Sequence, residues 1–228
     1  MAAIAVAIMA RQPVPGAVKT RLRPVLSDDD IAALYDRFLR DRISQVRSLH
    51  GAVPAIAYTP SESRPFFTGV APDFLLLPQV GDGLSMRLTR LFQQLLDMGH
   101  AGVIATDSDS PTLPTAHLQR ALDGLAASDA DVVLGPSDDG GYYLIGLRRV
   151  YPGLFDGMPW STPQVYDETL RRAARLGLRV TSLPGWYDVD TAAEFGRLGA
   201  ELAGLGDAGP LHTRQFFAER ELRTCRSD

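Results

Sequence analysis

Short unbroken apolar runs alternate along the chain with segments whose apolar residues recur every three or four positions. Residues 3–9 (Ala-Ile-Ala-Val-Ala-Ile-Met) form the first run, closed by Arg11 and a Pro/Gly loop, and predict a buried strand. Ser27-Asp28-Asp29-Asp30 reads as a helix start, a capping serine followed by acids that the helix dipole favours. Ile31, Leu34, Phe38, Leu39, Ile43, Val46 and Leu49 continue it at helical spacing. The same patterns predict strands over 53–58, 74–77, 102–105, 131–134, 142–147 and 178–183. They predict helices over 84–98, around 118–125, up to Leu176, over 191–202 and over 213–222. Pro60 to Pro65 breaks the second strand.

Strand–helix alternation with ordinary connections argues for α/β architecture with a mostly parallel sheet. The strands around 131–147 have no helix between them, so the sheet is expected to be mixed. Residues 1–203 are expected to form the domain, with 204–228 a linker and C-terminal helix packed on it.

Composition narrows the partners more than the fold. A net charge of −4 over 228 residues gives no reason to expect nucleic acid. The single cysteine, Cys225, excludes an internal disulfide and suits a reducing compartment, so a cytoplasmic location is expected. Four scattered histidines show no zinc spacing. Met1 to Met9 is too short for a signal peptide or a membrane span, and no membrane partner is expected.

The unusual chemistry falls at strand ends, where open α/β sheets bind ligands. Val103 to Pro114 ends a buried run in Asp107-Ser108-Asp109 and a proline turn. Two carboxylates so placed suit Mg²⁺ or Mn²⁺; they also suit capping of the turn and the next helix. The loop Arg11 to Arg21 carries Gly16, Lys19 and Arg21, residues fit to grip a diphosphate or triphosphate, or simply a solvated basic loop. Its spacing is not that of a Walker A loop. Gln79, Gly81 and Gly83 lie between a strand and a helix, where a base or ribose can rest on the backbone, although a plain tight turn has the same pattern. Asp138-Asp139-Gly140-Gly141-Tyr142-Tyr143 reads as a hairpin turn that can also present Asp139 and Tyr142 to a substrate. Asp188 and Asp190 repeat the acidic strand end and share a face by strand alternation, with Asp190 equally suited to N-cap the next helix. Trp160-Ser161-Thr162 reads as a helix-start motif with its tryptophan in the core. No Gly-x-Ser-x-Gly elbow occurs and no Gly-x-Gly-x-x-Gly follows a strand, which disfavours serine hydrolases and dinucleotide-dependent oxidoreductases.

These segments, in this order over residues 4 to about 200, resemble the GT-A nucleotide-diphospho-sugar-transferase superfamily. Within it they are most similar to a bacterial family labelled glycosyltransferases and linked to arsenosugar-type biosynthetic clusters. The resemblance implies a single GT-A, Rossmann-like domain with a mixed, mostly parallel sheet flanked by helices. It implies that Asp107 or Asp109, with Asp188 or Asp190, holds Mg²⁺ or Mn²⁺. The Gln79 to Gly83 stretch resembles the base-contacting segment of MobA-like and phosphoenolpyruvate guanylyltransferase-like nucleotidyltransferases. Lys19 to Leu22 resembles their phosphate-binding segment, although their Gly-x-Gly before the lysine is reduced here to Gly16.

The leading expectation is a metal-dependent nucleotidyltransferase-like enzyme. A phosphate or carboxylate oxygen of a small acceptor attacks an NTP, and Lys19 and Arg21 stabilise the departing pyrophosphate. Nucleotide contacts are expected from Arg11, Gly16, Lys19, Arg21, Gln79, Gly81, Gly83, Asp107, Gly140, Gly141 and Tyr142. The rival is a glycosyltransferase using a nucleotide sugar, with Asp139 or Asp188 as base; the third option is a nucleotide-binding module without turnover. The sequence fixes no oligomeric state, a homodimer being one option.

Overall fold

The computed structural model describes residues 3–205 and 209–224. At its centre, β1 (Ile4–Arg11) sends Ile4, Val6 and Ile8 to one face of a sheet and Ala5 and Ala7 to the other. Both faces are covered, which is why the strand reads as a continuous apolar run rather than an alternation of polar and apolar residues. Parallel to β1 on one side runs β2 (Ala52–Thr59), followed by β3 (Leu75–Pro78). On its other side lies β4 (Gly102–Thr106), also parallel. Beyond β4 come β6 (Tyr142–Leu147), β5 (Val132–Pro136) and β7 (Val180–Ser182), giving the seven-stranded order β3-β2-β1-β4-β6-β5-β7. Only β6 is antiparallel to its neighbours, the consequence of the β5–β6 hairpin.

The branched face of β1 packs against α1 (Asp28–Arg47), α2 (Arg64–Val70) and α4 (Thr115–Ala126). The alanine face packs against α3 (Gly83–Asp97), α5 (Pro152–Phe155) and α6 (Val165–Arg175). A third cluster joins Val18, Leu22 and Leu26 to the start of α1, to Tyr187 and Val189, and to α7 (Ala192–Leu205) and α8 (Leu211–Thr224). It fixes the loop after β1 against the segment before α7.

Ser27 caps α1 as expected, its side chain accepting from the Asp30 amide. The proline-rich break after β2 continues into α2, which periodicity did not suggest; Pro65 sits in its first turn, where a missing N–H costs nothing. The last strand is shorter than the predicted 178–183. Cys225 and part of the expected linker lie outside the described residues. Among the described residues, no helix is long and apolar enough to cross a membrane.

Candidate active site

Strand order reverses between β1 and β4, with β2 and β3 on one side and β6, β5 and β7 on the other. The crevice beyond the carboxyl ends of such a pair is the usual ligand site of an open α/β sheet. The loop after β1, the Asp107 to Pro114 loop, the β5–β6 turn and the segment ending at Asp190 meet there.

Lys19 lies at the junction of these segments. Its Nζ is 2.8 Å from Asp109 Oδ2 and 2.5 Å from Asp190 Oδ1, and only 6 % of its side chain is exposed. Burial works against the ammonium, but the two carboxylates outweigh it and raise the lysine above its ordinary value. The residue takes the left-handed backbone conformation (φ 44°, ψ 37°) at the entry to the 3₁₀ turn Thr20–Leu22. A backbone bond from Val189 N to Asp109 O, 3.0 Å, fastens the two acidic segments together. Acids distant in sequence therefore converge beside the first loop, around a lysine ammonium.

Asp107 is held from the opposite side. Arg42, on the sheet-facing side of α1, donates from Nη2 to Asp107 Oδ1 and to the Ser110 carbonyl, each at 2.9 Å. Ser110 Oγ donates to Asp107 Oδ2 at 2.5 Å. Burial pushes the Asp107 carboxyl up to about 6, against the pull of Arg42 and reinforced by repulsion from Asp109 and Asp188. Between the two aspartates, Ser108 Oγ pairs with the Tyr35 hydroxyl at 2.8 Å and donates to the Met9 carbonyl. Burial raises the Tyr35 phenol to about 12, so it stays protonated.

Two cavities adjoin across Asp109. The first, about 330 Å³, is lined by Arg11, Lys19, Thr20, Arg21 and Tyr35, with Asp109 and Asp190 at its base. Arg21 extends into solvent 3.7 Å from Asp190, and Arg11 bonds the Ala17 carbonyl. The second, about 170 Å³, is lined by Asp107, Asp109, Asp139 and Asp188, by the hydroxyl residues Ser137, Ser161 and Thr162, and by Tyr142, Tyr143 and Trp160. None of its lining residues is Lys, Arg or His. Burial, then repulsion from Asp190, raises the Asp188 carboxyl; Ser137 Oγ donates to it at 3.0 Å.

Asp188 and Asp190 face away from buried Tyr187 and Val189, as alternation implies, yet they serve different cavities. The four expected metal ligands are thus divided: Asp109 and Asp190 hold Lys19, while Asp107 and Asp188 are bonded by Arg42 and Ser137. Among the described residues, no three acidic, histidine or cysteine side chains form a ready-made ligand set.

Gln79 turns its amide inward, donating to the Ala57 and Ala10 carbonyls at 2.8 and 3.3 Å. Gly81 and Gly83 lie at the start of α3, and Gly16 lies in the first loop near Asp28. Asp139 accepts from the Gly141 amide at 2.8 Å inside the β5–β6 turn. A Cβ on Gly140 would fall 2.2 Å from the Pro163 carbonyl oxygen, so glycine here lets the turn lie directly on the 160s loop. Tyr142 packs edge-on against Trp160, whose Nε1 donates to Ser85 at 2.7 Å. Arg42 and Tyr35 were not anticipated. A cation four residues after Phe38 and four before Val46, inside the apolar stripe of α1, was the available sign for Arg42.

The architecture and this strand-end site define a protein with the nucleotide-diphospho-sugar-transferase fold. Residues 42–162 match the family described as "Uncharacterized protein conserved in bacteria (DUF2064)", and the chain belongs to that family. It is 31 % identical, over 97 % of its length and 96 % of the relative's, to a candidate nucleotide-diphospho-sugar transferase from Desulfovibrio desulfuricans G20, with a TM-score of 0.88. It shares its fold with CMP:2-keto-3-deoxy-manno-octonic acid synthetase complexed with CTP (TM-score 0.57, 13 % identity, 89 % of this chain and 99 % of that one). It also shares it with 4-diphosphocytidyl-2C-methyl-D-erythritol synthase (TM-score 0.57, 12 % identity, the same coverage of each). No curated protein sequence matches.

Proposed function

We propose that this chain is a nucleotide-using transferase of the nucleotidyltransferase type, acting on an acceptor hydroxyl. The observation that carries the reading is the unequal charge on the two sides of Asp109: Arg11, Lys19 and Arg21 line one cavity together with Asp109 and Asp190, whereas four aspartates and no cationic side chain line the other. Arg11 and Arg21, with Lys19 once released, suit the phosphates of an NTP. The acidic cavity suits the acceptor. An anionic acceptor was the sequence-based expectation, but no Lys, Arg or His side chain lines the acidic cavity to bind one. Hydroxyl groups, by contrast, donate well to carboxylates, and Tyr142 and Trp160 offer apolar surface to a ring.

In this reading the acceptor oxygen forms a bond to the α-phosphorus of the NTP, and the bond from that phosphorus to pyrophosphate breaks. Asp139 or Asp188 takes the hydroxyl proton. Pyrophosphate departs toward Arg11 and Arg21, which offset its charge. Carboxylate oxygens are hard donors, and Asp107, Asp109, Asp139 and Asp188 line one cavity with no Lys, Arg or His among the lining residues. The site therefore fits Mg²⁺ or Mn²⁺ held by one or two of Asp107, Asp109, Asp188 and Asp190 and completed by substrate oxygens. Such an ion would supply charge neutralisation at the phosphates. The likeness to MobA-like enzymes belongs to this proposal.

A second reading, glycosyl transfer from a nucleotide sugar, draws support from the description of the Desulfovibrio relative. Pyrophosphate release from the four NTPs, compared with UDP or GDP release from nucleotide sugars, each with polyol acceptors and Mg²⁺ or Mn²⁺, separates them. Pyrophosphate formation supports the proposal, nucleoside diphosphate formation supports the rival, and nucleotide binding without either product and undiminished by EDTA favours a binding module.

A further inference from the structure

We propose that the Lys19 ammonium and a divalent cation compete for the Asp109–Asp190 carboxylate pair, so that the ion enters with the phosphates that draw Lys19 away. This rests on the reading that the adjoining cationic cavity takes a nucleotide.

The geometry comes first. Lys19 Nζ bonds one oxygen of each aspartate, at 2.8 and 2.5 Å, and so occupies the pair that an ion bridging these two strand-end segments would use. Both groups cannot hold it together, since two cations so close repel strongly where solvent is scarce.

The backbone comes second. Lys19 is one of three described non-glycine residues with positive φ, together with Ser128 and Ser161. Such a conformation costs about 1–2 kcal/mol in a non-glycine residue, and persists where the surroundings impose it. The imposing contacts are on either side. Val18 and Leu22 are buried in the cluster that also holds Tyr187 and Val189, fixing the loop while leaving the lysine's four-carbon stem as the movable part.

Third, there is somewhere for the ammonium to go. The cavity bounded by Arg11, Thr20 and Arg21 opens directly beside it. A phosphate there offers oxygens to replace those of the aspartates, and the vacated pair, already close to Asp188, then needs another cation. Lys19 thereby makes ion and nucleotide binding mutually dependent, a coupling that must be reciprocal.

Mn²⁺ binding to the full chain, followed by electron paramagnetic resonance, tests this. Wild type, Lys19→Met and Lys19→Arg are compared with and without a non-hydrolysable nucleoside triphosphate. Wild type and Lys19→Arg should bind Mn²⁺ weakly alone and roughly 5- to 150-fold more tightly with nucleotide. Lys19→Met should bind Mn²⁺ alone more tightly than wild type by a factor in the same range, with the gain abolished by adding Asp190→Asn. Should Lys19→Met be poorly folded without metal, Mn²⁺ should raise its melting temperature more than that of wild type. Nucleotide-assisted binding in wild type with no gain in Lys19→Met, by either readout, overturns the competition and leaves the nucleotide reading standing. A gain in Lys19→Met with no nucleotide effect in wild type sustains the competition and overturns the nucleotide reading.

Discussion

Arg42 Nη2 lies 2.9 Å from Asp107 Oδ1, joining the middle of α1 to the end of β4 through an ion pair whose arginine side chain is 2 % exposed. Burial lowers the arginine from its ordinary value, and Asp107 and Asp109 pull it back up. Removing one partner leaves an uncompensated buried charge, a change that costs about 3–5 kcal/mol in other buried pairs. Arg42→Met should therefore lose roughly that amount in urea unfolding. A loss no larger than the ~1 kcal/mol typical of an exposed pair would show that Asp107 finds other compensation.

Asp41, one residue earlier, acts on a different element. Its Oδ1 accepts from the His212 amide at 2.9 Å, and its Oδ2 accepts from the Thr213 amide at 2.8 Å and the Thr213 hydroxyl at 2.6 Å. A side chain of α1 thus caps the start of α8. Asp41→Ala should destabilise the protein by about 1.5–3 kcal/mol, the range for hydrogen bonds to a charged group. Hydrogen exchange should accelerate in α8 before the central strands. Uniform exchange across α8 and β1 would argue that α8 is held by its apolar contacts alone.

At Gly140, substitution by alanine meets both a positive φ of 86° and the Pro163 backbone. Gly140→Ala should cost roughly 1–3 kcal/mol by overpacking. Because Trp160, Ser161 and Thr162 line the acidic cavity, acceptor KM should rise while nucleotide affinity changes little. Equal losses in both would place the 160s loop in the nucleotide site instead.

His117 is buried against Tyr143 and Trp186, and burial, then Arg120, lowers it from its ordinary value. The native state therefore binds its proton less readily than the unfolded chain. The stability contributed by keeping it neutral is present above the unfolded value of 6.5 and declines as pH falls through the lowered folded value. Relative to wild type, His117→Gln should gain stability as pH drops below neutrality, by chemical denaturation at successive pH values. A pH-independent difference between the two would show no linkage at this residue.

How much was legible in the sequence depends on whether the cause was local. The buried run of β1, the Ser27 cap and the Asp-Gly turn between β5 and β6 are written in adjacent residues, and the structure has them in place. That the unusual loops line one edge of the sheet followed from each of them succeeding a strand, whereas the strand order that puts the crevice between β1 and β4 did not. Which carboxylate meets which cation did not, because Lys19 and Asp190 are 171 positions apart and their pairing depends on the Val18–Val189 cluster. The direction of the Gln79 amide was likewise hidden, since it depends on carbonyls of β1 and β2, 69 and 22 positions away in sequence. Helix α2 escaped notice because two prolines masked a helix start as a break.

Phosphate binding beside Lys19 is the step on which nucleotide use depends. Calorimetric titration of nucleoside triphosphates and nucleotide sugars with Mg²⁺, into wild type and an Arg11→Ala/Arg21→Ala variant that leaves the buried cluster intact, addresses that directly. At least one nucleotide should bind wild type saturably and ~10-fold or more weakly to the double variant, as for loss of ~1.4 kcal/mol of interaction. Equal affinity of the two proteins, or no nucleotide binding by either, would contradict it.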